Sequence, residues 1–178
     1  MSRQKSISAK PRHVRRTVLI VGEGYSEVAF LKHLKSLYVE RNSGVSAKIN
    51  NAYGKGARNV VSVACKLSTN ANYDLVAALF DTDTDWTTEV ARLAEDRHIT
   101  TLWVKPCFEA FLLQIHGENT VGLTTSKLKR KLKNKFGYDA SDNDLYTKNF
   151  SKALIEKARD SNDLLNNLIN ALTSGQIP

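Results

Sequence analysis

Short apolar runs alternate along the first two thirds of this chain with segments of helical periodicity. Val18, Leu19, Ile20 and Val21 are aliphatic with no polar alternation, and so is the run from Asp74 to Phe80, DLVAALF. Strands buried on both faces read this way. Shorter strands are expected over Ala47 to Asn51 and over Thr100 to Lys105, where Pro106 ends the run. A helix is expected from about Ser26 to Glu40, with Phe30, Leu31, Leu34, Leu37 and Tyr38 as its buried stripe. A second follows the turn AYGKGARNVV, with Val60, Val61, Ala64 and Leu67 inward. A third runs from about Thr87 to Arg97 around Val90, Leu93 and Ala94, and a short apolar helix, CFEAFLLQIHG, follows Pro106. Strand and helix in regular alternation give an α/β fold: a Rossmannoid parallel sheet of about four strands with helices on both faces. From Thr120 onward strand signals cease. Leu128, Leu132 and Phe136 recur at four-residue spacing. Two further helical patterns follow over 147–172, one with Phe150, Leu154 and Ala158, the other with Leu164, Leu165, Leu168 and Leu172. The expected organisation is a basic tail over 1–16, an α/β domain over 17–119, and a helical extension over 120–178 packed on the same core.

Charge adds a partner to this picture. The net charge is +8 on 178 residues, 42% of them hydrophobic. One domain with an adequate core is expected, and its acidic partner is expected to be nucleic acid. Lys127, Lys129, Arg130, Lys131, Lys133 and Lys135 crowd one helix, with Lys127, Arg130 and Lys131 the leading phosphate contacts. Gly54, Lys55, Gly56 and Arg58 could cradle a phosphate at a helix start, or form a turn with solvated charges. Cys65 and Cys107 have neither metal-ligand spacing nor a disulfide framework, which suits a reducing compartment such as the cytoplasm. No apolar run approaches the ~20 residues of a membrane span. His33, among lysines, reads as a surface residue.

Against the cationic background, carboxylates gather at strand ends. Gly22 and Gly24 flank Glu23 just after the first strand, with Ser26 placed to cap the helix that follows. Asp81, Asp83 and Asp85 alternate directly after DLVAALF. Glu109 lies in the first turn of the helix after the fourth strand. In a parallel sheet the carboxyl ends share one edge, where α/β proteins bind ligands. Clustered carboxylates repel one another, and a hard cation resolves the repulsion. Oxygen-only ligands favour Mg²⁺ or Mn²⁺, which can activate water and stabilise charge on a phosphodiester. Glu23, Asp81, Asp83 and Glu109 are the catalytic candidates. Glu23, Asp81, Asp83, Glu27 and Asp85 are the metal candidates. Glu27 could equally be a first-turn helix carboxylate and Asp85 the cap of the next helix. His116 is either a further site residue or a packed histidine. Cys107 precedes a helix that could lower its pKa, although a packed thiol suits it better. No nucleophilic triad is evident.

VLIVGEGYSE together with ALFDTDTDW resembles the Toprim domain of primases, topoisomerases and nucleases. VKPCFEAFLLQIHG resembles the RloB family's strand followed by a Pro-Cys-Phe-Glu helix ending in histidine, and YTKNF resembles the family more loosely. Lys105 and Gly117 depart from that signature. The resemblance implies a metal-dependent nuclease, often working beside an RloA-like partner ATPase in defence against phage or other mobile DNA. It implies Glu23 as general acid/base or metal carboxylate, Asp81 and Asp83 as metal ligands, and Glu109 as a further ligand. The competing readings are a non-catalytic nucleic-acid-binding or regulatory subunit and a small Toprim RNA-maturation ribonuclease. A homo-oligomer is compatible with each.

Overall fold

The computed structural model describes residues 15–40, 43–82 and 85–178. The expected tail falls outside the described residues up to position 14, and so does Asp83. The elements run in the order β1 (Arg16–Gly22), α1 (Tyr25–Tyr38), β2 (Val45–Asn51), α2 (Gly56–Thr69), β3 (Leu75–Asp81), α3 (Thr88–Asp96), β4 (Ile99–Val104) and α4 (Phe108–Ile115). They are followed by α5 (Thr125–Phe136), α6 (Asn143–Asn149), α7 (Lys152–Arg159) and α8 (Asp163–Ser174). The four strands form one parallel sheet in the order β2-β1-β3-β4.

The unbroken apolar runs are explained by burial on two sides. Val18 and Ile20 of β1 face one layer with Ala77, Leu79, Leu102 and Val104. Leu19 and Val21 face the other with Val76, Ala78 and Phe80. The first layer holds α1 and α4, the second α2 and α3. Leu128, Leu132, Leu145, Tyr146, Phe150, Ile155, Leu165 and Leu168 of the later helices join the first layer, so one core runs beneath both parts of the chain. At its centre Phe30 of α1 meets Phe108, Phe111, Tyr146 and Phe150, with ring centroids 5.5 to 5.9 Å apart.

Three local expectations are corrected. The stretch read as two helical patterns is three helices, because Ser151 and Asn162 each cap a new one by accepting from the amides of Leu154 and Leu165. Phe150 therefore lies outside α7 and is driven into the aromatic cluster. Gly24, not Ser26, is the N-cap of α1, since the Glu27 carboxylate reaches back to accept from the Gly24 amide at 2.9 Å. His33 is half-buried rather than a surface residue: its Nε2 lies 2.7 Å from the Phe150 carbonyl oxygen and its ring stacks on Tyr146.

Candidate functional site

The strand order creates a switch point. From β1 the chain moves outward to β2, then returns past β1 to β3. Crevices at such reversals, at the carboxyl ends of the strands, are where open α/β sheets bind ligands. Glu23 follows β1 and Asp81 ends β3, so the two sit side by side at this reversal. The Glu23 amide donates to the Leu79 carbonyl at 3.1 Å, and the Asp81 amide points to Glu23 Oε2 at 3.4 Å. Gly22 is needed because a Cβ there would lie 2.9 Å from Glu27 Cβ and 3.3 Å from the Val28 side chain. The close approach of α1 to the end of β1 allows no side chain.

Two more carboxylates share this neighbourhood. Glu27 turns inward and is 7% exposed. Burial pushes its carboxyl above the ordinary carboxylate value, and the negative charges of Glu23 and Glu109 push the same way, against backbone hydrogen bonds that favour the ionised form. Glu109 projects from the first turn of α4, its side chain 12% exposed, with Lys129 Nζ of α5 at 3.9 Å. Cys107 lies near both Glu109 and Asp81. Burial, with those carboxylates adding to it, raises its thiol to about 11, so the helix start does not activate it. Oδ1 of Asp81 is excluded from solvent. A cavity of about 210 Å³ opens here, lined by Ser26, Glu109, Lys129, Leu132, Asp139 and Ser141.

Tyr146 of α6 closes the site from below. Its hydroxyl donates to the Ala140 carbonyl oxygen, with the Ser26 carbonyl oxygen sharing the same proton at 3.2 Å. Burial and the nearby Glu27 and Glu109 hold it firmly protonated. Sequence reasoning missed this residue and the pairing of Lys129 with Glu109. YTKNF was visible as a motif, but nothing local ties it to a turn 120 residues earlier.

Other candidates lie elsewhere or are otherwise engaged. The cap of α3 is Thr87, which accepts from the Val90 amide, and not Asp85. The Asp85 carboxylate instead accepts from the Arg58 amide in the first turn of α2, at 3.3 and 3.2 Å. The phosphate cradle read over Gly54 to Arg58 thus already holds a carboxylate of its own chain, and the Arg58 guanidinium pairs with Glu89 at 3.5 Å. Lys55 is exposed. His116 closes α4 about 12 Å of helix away from the carboxyl edge. It is packed between Phe136 and Phe150, and burial with nearby Lys135 lowers its pKa, so it is a core histidine. Lys127, Arg130 and Lys131 line one groove of about 500 Å³ with Glu118 and Lys135. Glu118 pairs with Lys131 at 2.8 Å and Lys135 at 2.6 Å, and those ammonium groups hold its carboxyl down at about 2.

Glu23 and Asp81 supply hard oxygen donors on a half-buried edge. That suits an ion such as Mg²⁺, which is held by one or two carboxylates and keeps several waters. Among the described residues, no group of three or more His, Cys, Asp or Glu side chains is arranged to hold a metal ion. No described helix is long and apolar enough to cross a membrane.

The family model for RloB-like proteins matches residues 18–174. The chain belongs to the RloB-like family. No curated protein and no solved structure matches it. The family match spans both the sheet and the later helices, so in this RloB-like protein the residues around Tyr146 and Lys129 belong to the same family unit as Glu23 and Asp81.

Proposed function

We propose that this RloB-like protein is a Toprim-type, Mg²⁺- or Mn²⁺-dependent nuclease that hydrolyses phosphodiester bonds of DNA or RNA. It would work in the cytoplasm beside a partner ATPase, in defence against phage or other mobile DNA. The observation that carries this reading is the side-by-side placement of Glu23 and Asp81 at the β1/β3 switch point of a chain with net charge +8. Asp81, with Asp83 beyond it, would hold the ion, and Glu23 would share it or move a proton to or from the attacking water. A bound divalent ion supplies an activated water and charge neutralisation at the phosphate. Glu109 orients Lys129, whose ammonium is then available to a phosphate oxygen on the same side. The buried Glu27 holds the backbone turn at Gly24 rather than reaching substrate.

A second reading is a non-catalytic nucleic-acid-binding or regulatory subunit of an ATPase-containing complex. It is favoured by the α5 groove lined by Lys127, Arg130, Lys131 and Lys135, a cationic surface that needs no metal to meet phosphates. A cleavage assay separates the two. Purified protein is mixed with labelled RNA, single-stranded DNA and plasmid, with Mg²⁺, Mn²⁺ or EDTA. Metal-dependent cutting that disappears in Asp81→Ala and Glu23→Gln is expected. Binding without cutting in every metal, unchanged in both variants, would sink the nuclease.

A further inference from the structure

Of the described residues, Tyr25 and Tyr53 are the large aromatic side chains left open to water, 66% and 70% exposed. Tyr25 opens α1 and Tyr53 lies in the β2–α2 turn, yet their rings meet edge to face with centroids 6.0 Å apart and planes at 73°. Such contact covers at most one ring face, and the exposures leave the others accessible. The pair stands beside Glu23. The residues flanking Tyr53 are tied to that turn, with the Ala52 amide donating to the Gly22 carbonyl at 2.9 Å and the Gly54 amide to the Glu23 carbonyl at 2.7 Å.

Tyr53 is also held at a backbone cost. Its φ is +62°, in the left-handed region that bulky residues avoid. The conformation is over-determined by its surroundings. Asn51 Oδ1 accepts from the Tyr53 amide at 2.7 Å, and Asn59 Nδ2 donates to the carbonyl oxygens on both sides, Ala52 at 2.7 Å and Gly54 at 2.8 Å. Strain maintained in this way, at an exposed aromatic beside a carboxylate site, points to a use for the ring. Exposed Lys55 follows two residues later.

We infer that Tyr25 and Tyr53 form a stacking platform for the unpaired bases of a single-stranded polynucleotide, with Lys55 meeting its phosphates. This deepens the nuclease reading, on which it rests for its purpose, by naming the substrate class. Paired bases in a duplex keep their faces buried in the stack and cannot use such a platform, whereas every unpaired base offers a face.

The test reads binding in EDTA, so it stands apart from cleavage. Labelled single-stranded DNA and RNA oligomers and a blunt DNA duplex are titrated into wild type, Tyr25→Ala, Tyr53→Ala and the two Tyr→Phe variants, with thermal melts confirming folding. The expected result is single strands bound tightest, a loss of about tenfold in each Ala variant, and retention in each Phe variant. Lys55→Ala is expected to lower the salt slope by about 0.7. Equal binding of single strands and duplex, or Ala variants that bind like wild type, would overturn the platform. So would tyrosines needed only for capture of a partner protein. Tyrosine-dependent binding with no cleavage in any metal would sink the nuclease reading and leave the platform standing.

Discussion

The backbone amide of Asp81 lies 3.4 Å from Oε2 of Glu23, so two carboxylate-bearing residues at the ends of separate strands are joined through the main chain of one of them. The pair is set by the sheet, and not by flexible side chains finding each other. Glu23→Gln retains an oxygen acceptor for that amide. It is expected to keep the wild-type melting temperature while cleavage falls by about a hundredfold or more. A parallel fall in melting temperature would show that Glu23 acts on the fold instead.

Glu27 gives a pH dependence with a definite sign. Its carboxyl is raised above 4.5 in the folded chain. The stabilising effect of its neutral form is thus fully present below the ordinary carboxylate value and is lost as pH rises through the folded value. Glu27→Gln keeps an acceptor for the Gly24 amide and never ionises. Thermal melts from about pH 4 to about pH 8 should show the variant gaining on wild type as pH rises. A constant or narrowing difference would contradict the burial argument.

Gly56 and Gly54 both have positive φ, yet only Gly56 faces a neighbour. A Cβ at Gly56 would lie 2.5 Å from Asp85 Oδ1, whereas Gly54 has nothing within 4 Å. Either change to Ala costs about 1–2 kcal/mol for the backbone alone. Gly56→Ala should cost more, and Asp85→Ala should remove the excess in a double-mutant cycle read by urea unfolding.

Phe150→Ala should destabilise by about 3–5 kcal/mol. The ring is fully buried against Phe30, His116, Phe136 and Tyr146. Urea unfolding followed by circular dichroism checks this, and the loss should appear in a single transition because one core serves both parts of the chain.

Glu118→Gln releases Lys131 and Lys135 from their shared partner. If the α5 groove meets phosphates, nucleic-acid affinity should rise and its salt dependence steepen by about one phosphate's worth. Filter binding across a salt series measures both.

The sheet was legible because a strand buried on two faces must be apolar throughout, and Val18 to Val21 and Leu75 to Phe80 have no other reason to be so. The edge position of Glu23, Asp81 and Glu109 followed from parallel order. The tertiary partners of single side chains were not legible. Asp85 has the right composition for a local cap, but its bond is to an amide 27 residues earlier. His116 sits where a site residue would in the motif, and only the fold of α5 and Phe150 shows that it is enclosed by rings. The breaks at Ser151 and Asn162 were written as capping residues, but within a continuous apolar rhythm that masked them.

The bond from Tyr146 to Ser26 has a consequence for how the protein is made. The turn that carries Glu23 leaves the ribosome before the ring beneath it and the Phe150 partner of Phe30, which come more than a hundred residues later. Contacts so distant along the chain cannot form until both ends are present. The acidic edge therefore lacks its floor on the nascent chain until α6 has been made.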